Sequence, residues 1–126
     1  MSYIYYNINP DDKLVGDCTV RAISLLTDQK WEETYVALAT YGFEEHDMPS
    51  SNVVWSKYLI DLGYIRKQIP NTCPVCYTVK DFCEDYSTGK YMLSTGTHVV
   101  TVIDGNYYDN WNSGDEIPTS YWFKGD

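Results

Sequence analysis

The feature that most constrains the fold of this chain is a nearly apolar segment at residues 18–26, which opens on a cysteine. On a helix this segment leaves little more than Arg21 and Ser24 polar, so it predicts a helix buried in a core. Asp17 directly precedes it and is a good N-cap residue, whose carboxylate can accept from the free amides of the first turn. Cys18 is therefore expected in that first turn, where free amides and partial positive charge favour a thiolate.

Taken alone, the same segment favours a packed and inert cysteine, because free cysteine is among the most buried residue types. A cysteine nucleophile would need a base and a group that orients the base. The remainder of the chain has to supply both before Cys18 can be interpreted as reactive.

Length and charge limit the possible classes of protein. The 126 residues are enough for one core and predict a single domain over residues 1–126. The 18 acidic and 9 basic residues give a net charge of −9, which argues against nucleic acid and anionic membranes as partners. No apolar run reaches membrane-spanning length and residues 1–9 lack a signal-peptide pattern, so a cytoplasmic protein with no membrane partner is expected.

The other three cysteines lie close together in the sequence, at Cys73, Cys76 and Cys83. Without an export signal they are expected to be reduced. A CxxC pair followed by Cys83, with His46 as a fourth ligand, is a weak zinc pattern because a zinc ribbon normally supplies a second pair. We therefore expect no metal site and no cofactor.

The pattern along the chain changes from helical to extended. Helices are predicted at about 18–26, 30–41 (ended by Gly42), 53–62 and 78–86, and strands at 64–69, 90–94, 98–103 and 107–111, with an edge strand or arm at 3–8 and one more strand in the tail. Helices followed mainly by antiparallel strands are typical of the α+β class.

The last predicted hairpin places polar residues beside His98. A two-residue turn, whether at 104–105 or one residue later, puts Asp109 on the face of His98. A three-residue loop would instead present Asn110 and Asn112. Asp109 is the preferred partner of the histidine and Asn110 the alternative.

Cys18, His98 and Asp109 together form the set that nucleophilic acyl transfer requires. A thiolate attacks a carbonyl, an imidazolium protonates the leaving group, and the third residue fixes the imidazole tautomer. Taken separately, His98 would fit a structural histidine and Asp109 a solvated strand residue. His46 lies in an acidic stretch, residues 44–47, and is a poor candidate for the base.

Two motifs carry a resemblance to a known family: Gly-Asp-Cys-Thr-Val-Arg-Ala-Ile at 16–23 and Thr-His-Val-Val-Thr-Val-Ile-Asp-Gly-Asn-Tyr-Tyr-Asp at 97–109. The pair resembles small papain-like cysteine peptidases of bacterial and viral genomes, over nearly the whole chain. The resemblance implies a cysteine helix packed on a C-terminal antiparallel sheet, with Cys18 as nucleophile, His98 as base and Asp109 as orienting residue. It also implies a peptide or protein substrate and a thioester intermediate.

A weaker likeness connects the first motif to ovarian-tumour-type cysteine peptidases. Those enzymes carry an aspartate three residues before the cysteine, where this chain has Val15.

The oxyanion donor is the least secure part of this interpretation. Papain-like enzymes place a glutamine about six residues before the cysteine, and Asp12 stands there in this chain; its carboxylate would repel an oxyanion. Asn7 and Asn9 are the candidate replacements, although Asn9 equally fits a cap for the Asn-Pro turn. The alternatives to a hydrolase are a catalytically silent binding or structural module and an acyl transferase of the transglutaminase type.

Overall fold

A computed structural model describes residues 2–125. Its helices are α1 (Cys18–Thr27), α2 (Trp31–Glu45), α3 (Asn52–Asp61) and α4 (Val79–Asp85). Its strands are β1 (Ser2–Tyr5), β2 (Tyr64–Gln68), β3 (Lys90–Ser94), β4 (Val99–Ile103), β5 (Asn106–Asp109) and β6 (Ser120–Lys124). The α+β class is confirmed.

The strands form one sheet in the order β1-β5-β4-β3-β6-β2. Four of the neighbouring pairs are antiparallel, whereas β1 pairs with β5 in parallel. The sheet is therefore mixed rather than the antiparallel sheet that the sequence predicts, because the N-terminal edge strand runs parallel to its neighbour. Residue alternation in the N-terminal segment indicates a strand but carries no information on its direction, which depends on a partner about a hundred residues away.

Helices cover both faces of the sheet. On β4, Val99 packs with the core of α1–α3, while Val100 and Val102 pack with α4. Thr101 also faces α1, since its hydroxyl donates to the carbonyl of Ala22 at 2.7 Å. A strand that is buried on both faces has a nearly continuous apolar sequence. The packing of β4 on α1 also fixes the position of the residues just before β4 relative to the start of α1.

Helix α2 continues beyond the predicted end at Gly42. Gly42 is buried inside the helix, and a Cβ at this position would lie 2.8 Å from the carbonyl oxygen of Asp47. The glycine is required because the following loop crosses the helix closely. The helix ends instead at Glu45, and the next residue, His46, adopts the left-handed conformation that terminates many helices.

The cysteines outside α1 differ from the expected reduced cluster. Cys73 and Cys76 form a disulfide, and Cys83 is fully buried in the core between α4 and the sheet. Across residues 2–125 no group of three or more potential ligands is arranged to hold a metal ion. Within the same residues no helix combines the length and apolar character needed to cross a bilayer.

Candidate active site

Cys18 is the first residue of α1, as the sequence predicts, but Asp17 does not cap the helix with its side chain. The Asp17 carboxylate instead accepts from Nε of Arg21 at 2.8 Å and from Nε1 of Trp31 at 2.9 Å. These charged and indole donors replace the backbone amides as its partners. Within residues 2–125 the amides of Cys18, Thr19 and Val20 consequently have no hydrogen-bond acceptor.

The β4–β5 hairpin brings His98 and Asp109 together. Ile103 pairs with Asn106 across a two-residue turn in which Asp104 and Gly105 both have positive φ, at 49° and 77°, as tight hairpin turns require. This is the register that puts Asp109 on the histidine's face. His98 Nε2 lies 2.6 Å from Asp109 Oδ2. Nδ1 is therefore the ring nitrogen that Asp109 does not engage.

The alternative residue, Asn110, contributes to this site through its backbone. Its amide donates to Asp109 Oδ1 at 2.9 Å. In the described part of the chain its side chain makes no hydrogen bond to His98. The geometry therefore joins the imidazole to Asp109.

The Asp109 carboxylate is buried and held by four donors. Oδ1 accepts from Arg21 Nη1 and from the Asn110 amide, both at 2.9 Å. Oδ2 accepts from His98 and, at 2.7 Å, from the hydroxyl of Ser113. Burial opposes ionisation, but these hydrogen bonds and the charge of His98 outweigh it and lower the pKa of Asp109.

The Cys18 thiol and the His98 imidazole stabilise each other's charged forms. Burial opposes the thiolate, but hydrogen bonds from His98 and from the backbone of Val99 lower the pKa of Cys18 below its ordinary 9.0. Burial likewise opposes the imidazolium, whereas Asp109 and Cys18 raise the pKa of His98 to about 9. Both shifts favour a thiolate–imidazolium pair over the neutral thiol and imidazole.

Two cavities flank this pair, and Cys18 and His98 line both of them. The smaller, of about 220 Å³, also involves Ser50 and Asn52. The larger, of about 500 Å³, extends along Leu14, Val15 and Trp111, and the Trp111 ring lies 4.9 Å from the His98 ring. A ligand can therefore approach the sulfur from either side.

The two predicted oxyanion donors are used elsewhere. Asn7 donates to Asp12 and to the Lys13 carbonyl, at 3.3 and 3.1 Å. Asn9 accepts from the amides of Asp11 and Lys13 and directs its amide group toward Asp17 at 3.5 Å, so it caps the Asn-Pro turn, which was the alternative.

Neither side chain lines the cavities at Cys18. The prediction of Asn7 and Asn9 as oxyanion donors is therefore not supported by the geometry. The unpartnered amides at the start of α1 are better placed for that role.

Sequence reasoning missed three residues that support the candidate site: Arg21, Trp31 and Ser113. A signal existed for Arg21, because it is the one charged residue of α1, a helix that is otherwise apolar or neutral. A charged side chain in such a helix is buried and needs a buried partner. Nothing comparable distinguishes Ser113 in the sequence.

Comparisons of the chain with protein-family models, with curated proteins and with solved structures gave no match. The interpretation of this site therefore rests on its own geometry.

Proposed function

We propose that this protein is a cysteine-dependent hydrolase of the papain-like type, which cleaves an amide or isopeptide bond in a peptide or protein substrate. Cys18 is the nucleophile, His98 the general base and acid, and Asp109 the orienting residue. The observation that carries the proposal is the arrangement in which the buried Asp109 carboxylate contacts the half-buried His98, and His98 lowers the pKa of the neighbouring Cys18 thiol.

The chemistry divides into two steps. In the first, the Cys18 thiolate adds to the substrate carbonyl carbon, and the carbonyl π electrons move to the oxygen. Collapse of this intermediate breaks the C–N bond, the amine leaves with a proton from His98 Nδ1, and a thioester remains. In the second, His98 takes a proton from water as the water attacks the thioester, and the acid and the thiolate are released.

The oxyanion of both intermediates is assigned to the start of α1. The Cys18 amide has no other acceptor in the described residues, and the amides at a helix N-terminus point outward with the positive end of the dipole. Such a donor stabilises charge as it develops on the oxygen.

Alkylation of Cys18 by iodoacetamide tests the activated thiol. At pH 6 we expect Cys18 to react at least about tenfold more slowly in His98→Ala than in the wild type, because the imidazolium no longer stabilises the thiolate. His46→Asn is the matched control, since it changes the other histidine, which is exposed, and it should leave the rate unchanged. Equal rates in His98→Ala and the wild type would contradict the proposal.

Turnover is tested separately with a panel of peptides and isopeptides. We expect cleavage by the wild type but not by Cys18→Ala, together with a thioester adduct on Cys18 after acid quenching. Inertness of both proteins would instead favour a papain-like module without catalysis, which the aspartate at position 12 also fits. If added amines rather than water consume the thioester, the protein is an acyl transferase.

A further inference from the structure

Arg21 connects the start of α1 to the residue that orients the histidine. Its side chain is buried, with a relative exposure of 5%. Nε lies 2.8 Å from Asp17 Oδ1, and Nη1 lies 2.9 Å from Asp109 Oδ1. One guanidinium thus joins two buried carboxylates, one adjacent to the nucleophile and the other in contact with His98.

We propose that Arg21 is a positioning residue, which holds Oδ1 of Asp109 so that Oδ2 stays directed at His98 and the Cys18–His98 pair remains charged. This inference rests on the proposed function and adds to it a residue that acts through Asp109.

The geometry supports a directional role rather than packing alone. The terminal torsion of an aspartate has a broad energy minimum, so its carboxylate can rotate unless it is fixed by partners. Apart from Arg21 and His98, the donors to Asp109 are neutral: the Ser113 hydroxyl and the Asn110 amide. Arg21 is the charged donor that opposes His98 across the carboxylate, and charge-assisted hydrogen bonds are about twice as strong as neutral ones.

The charges around Arg21 determine which variants are informative. The titratable groups facing Arg21, Asp109 and His98 from the surrounding elements are Tyr3 and Tyr6 from the N-terminal segment, and Asp17 and Cys18 at the start of α1. Removing Arg21 alone leaves two buried carboxylates with His98 as the remaining cation, which is expected to destabilise the fold. Arg21→Met combined with Asp17→Asn removes one charge of each sign, so the net charge of the site is unchanged and Asp109 loses its guanidinium partner.

The test compares this double variant with the wild type and with Asp17→Asn alone. One readout is the pH midpoint of the His98 imidazole by NMR, and the other is the pH dependence of Cys18 alkylation by iodoacetamide. In the double variant we expect a lower imidazole midpoint and alkylation about tenfold slower at pH 6, equivalent to one pKa unit. Asp17→Asn, which keeps Arg21 on Asp109, should resemble the wild type in both.

The conservative variant separates positioning from support of the fold. Arg21→Lys in the Asp17→Asn background keeps a cation beside Asp109 and should recover part of both shifts. If the double variant does not fold, Arg21→Gln replaces Arg21→Met; it retains one neutral donor, so the same shifts are expected in reduced size. A folded neutral variant with wild-type midpoint and rate would overturn the inference and reduce Arg21 to a link between helix and sheet.

The two proposals fail in different ways. If wild-type Cys18 reacts no faster than Cys18 in His98→Ala, the hydrolase proposal fails. In that case the pH midpoint of the His98 imidazole, measured by NMR, still tests the role of Arg21, because this midpoint depends on Asp109 and not on turnover.

Discussion

The paired charges of Cys18 and His98 predict an unusual dependence of stability on pH. The folded-state pKa of His98 is raised to about 9 from 6.5, so its contribution is full below 6.5 and is lost as pH rises toward 9. The folded-state pKa of Cys18 is lowered from 9.0, so its contribution grows as pH rises above that lowered value and is complete above 9.0. The two dependences have opposite signs.

Above both pH 6.5 and the lowered pKa of Cys18, and below about pH 9, these contributions cancel. The folded pair holds one proton, on the imidazolium, and the unfolded pair also holds one, on the thiol. Because the slope of stability against pH is proportional to the difference in bound protons, this pair contributes no slope in the wild type.

Replacing Cys18 by alanine removes the compensation. Asp109 still raises the pKa of His98, so the folded state then binds one more proton than the unfolded state. The free energy of unfolding of Cys18→Ala should fall, relative to the wild type, by about 1.4 kcal/mol per pH unit above both 6.5 and the lowered pKa of Cys18. The fall ends at the new, lower pKa of His98 and totals at most about 3 kcal/mol.

Urea denaturation at half-unit intervals from pH 6 to 9.5 measures this difference, and groups that titrate in both proteins cancel in it. A second replacement, His98→Gln, should abolish the slope of Cys18→Ala, whereas His46→Asn should leave it. Parallel pH profiles for Cys18→Ala and the wild type would refute the reasoning, because they would mean that Cys18 and His98 do not carry paired charges in the folded protein.

Two further predictions concern the proposed orienting residue, Asp109, and the helical core. Asp109→Asn should slow the alkylation of Cys18 at pH 6 by about tenfold or more, because the imidazolium loses its carboxylate. Asn110→Ala should change the rate little. A larger loss of rate in Asn110→Ala than in Asp109→Asn would make Asn110 the orienting residue. Leu38→Ala should lower the free energy of unfolding by about 2–5 kcal/mol in urea denaturation, because Leu38 is fully buried. Val36→Ala, on the exposed side of the same helix, should lower it by less than about 0.5 kcal/mol. Equal losses would contradict this assignment of the core.

Local sequence patterns were sufficient to predict the hairpin that carries His98 and Asp109. The pairing of Ile103 with Asn106 follows from a two-residue turn, and aspartate followed by glycine supplies the positive φ angles of such a turn. Once this register is fixed, the positions of polar residues on the two strands follow by counting.

The partners of Asp17 and Arg21 could not be predicted in the same way. N-capping by aspartate is a local preference worth about 1 kcal/mol, and it competes with any charged donor that the fold brings nearby. Here the donor is Arg21, whose second partner, Asp109, is 88 residues further along the chain. The direction of β1 likewise depended on a distant partner, β5. The continuation of α2 through Gly42 depended on the loop that follows the helix, which crosses Gly42 closely at Asp47.

The displacement of Asp17 from its capping position connects these features to the proposed chemistry. A carboxylate that capped α1 would occupy the amides at Cys18 and place a negative charge where an oxyanion has to form. With Asp17 held by Arg21 and Trp31, those amides remain available, and the same arginine fixes Asp109. The missing cap weakens the helix locally, but it leaves the amides of α1 free to donate to an oxyanion. Asn7 and Asn9 do not supply such donors.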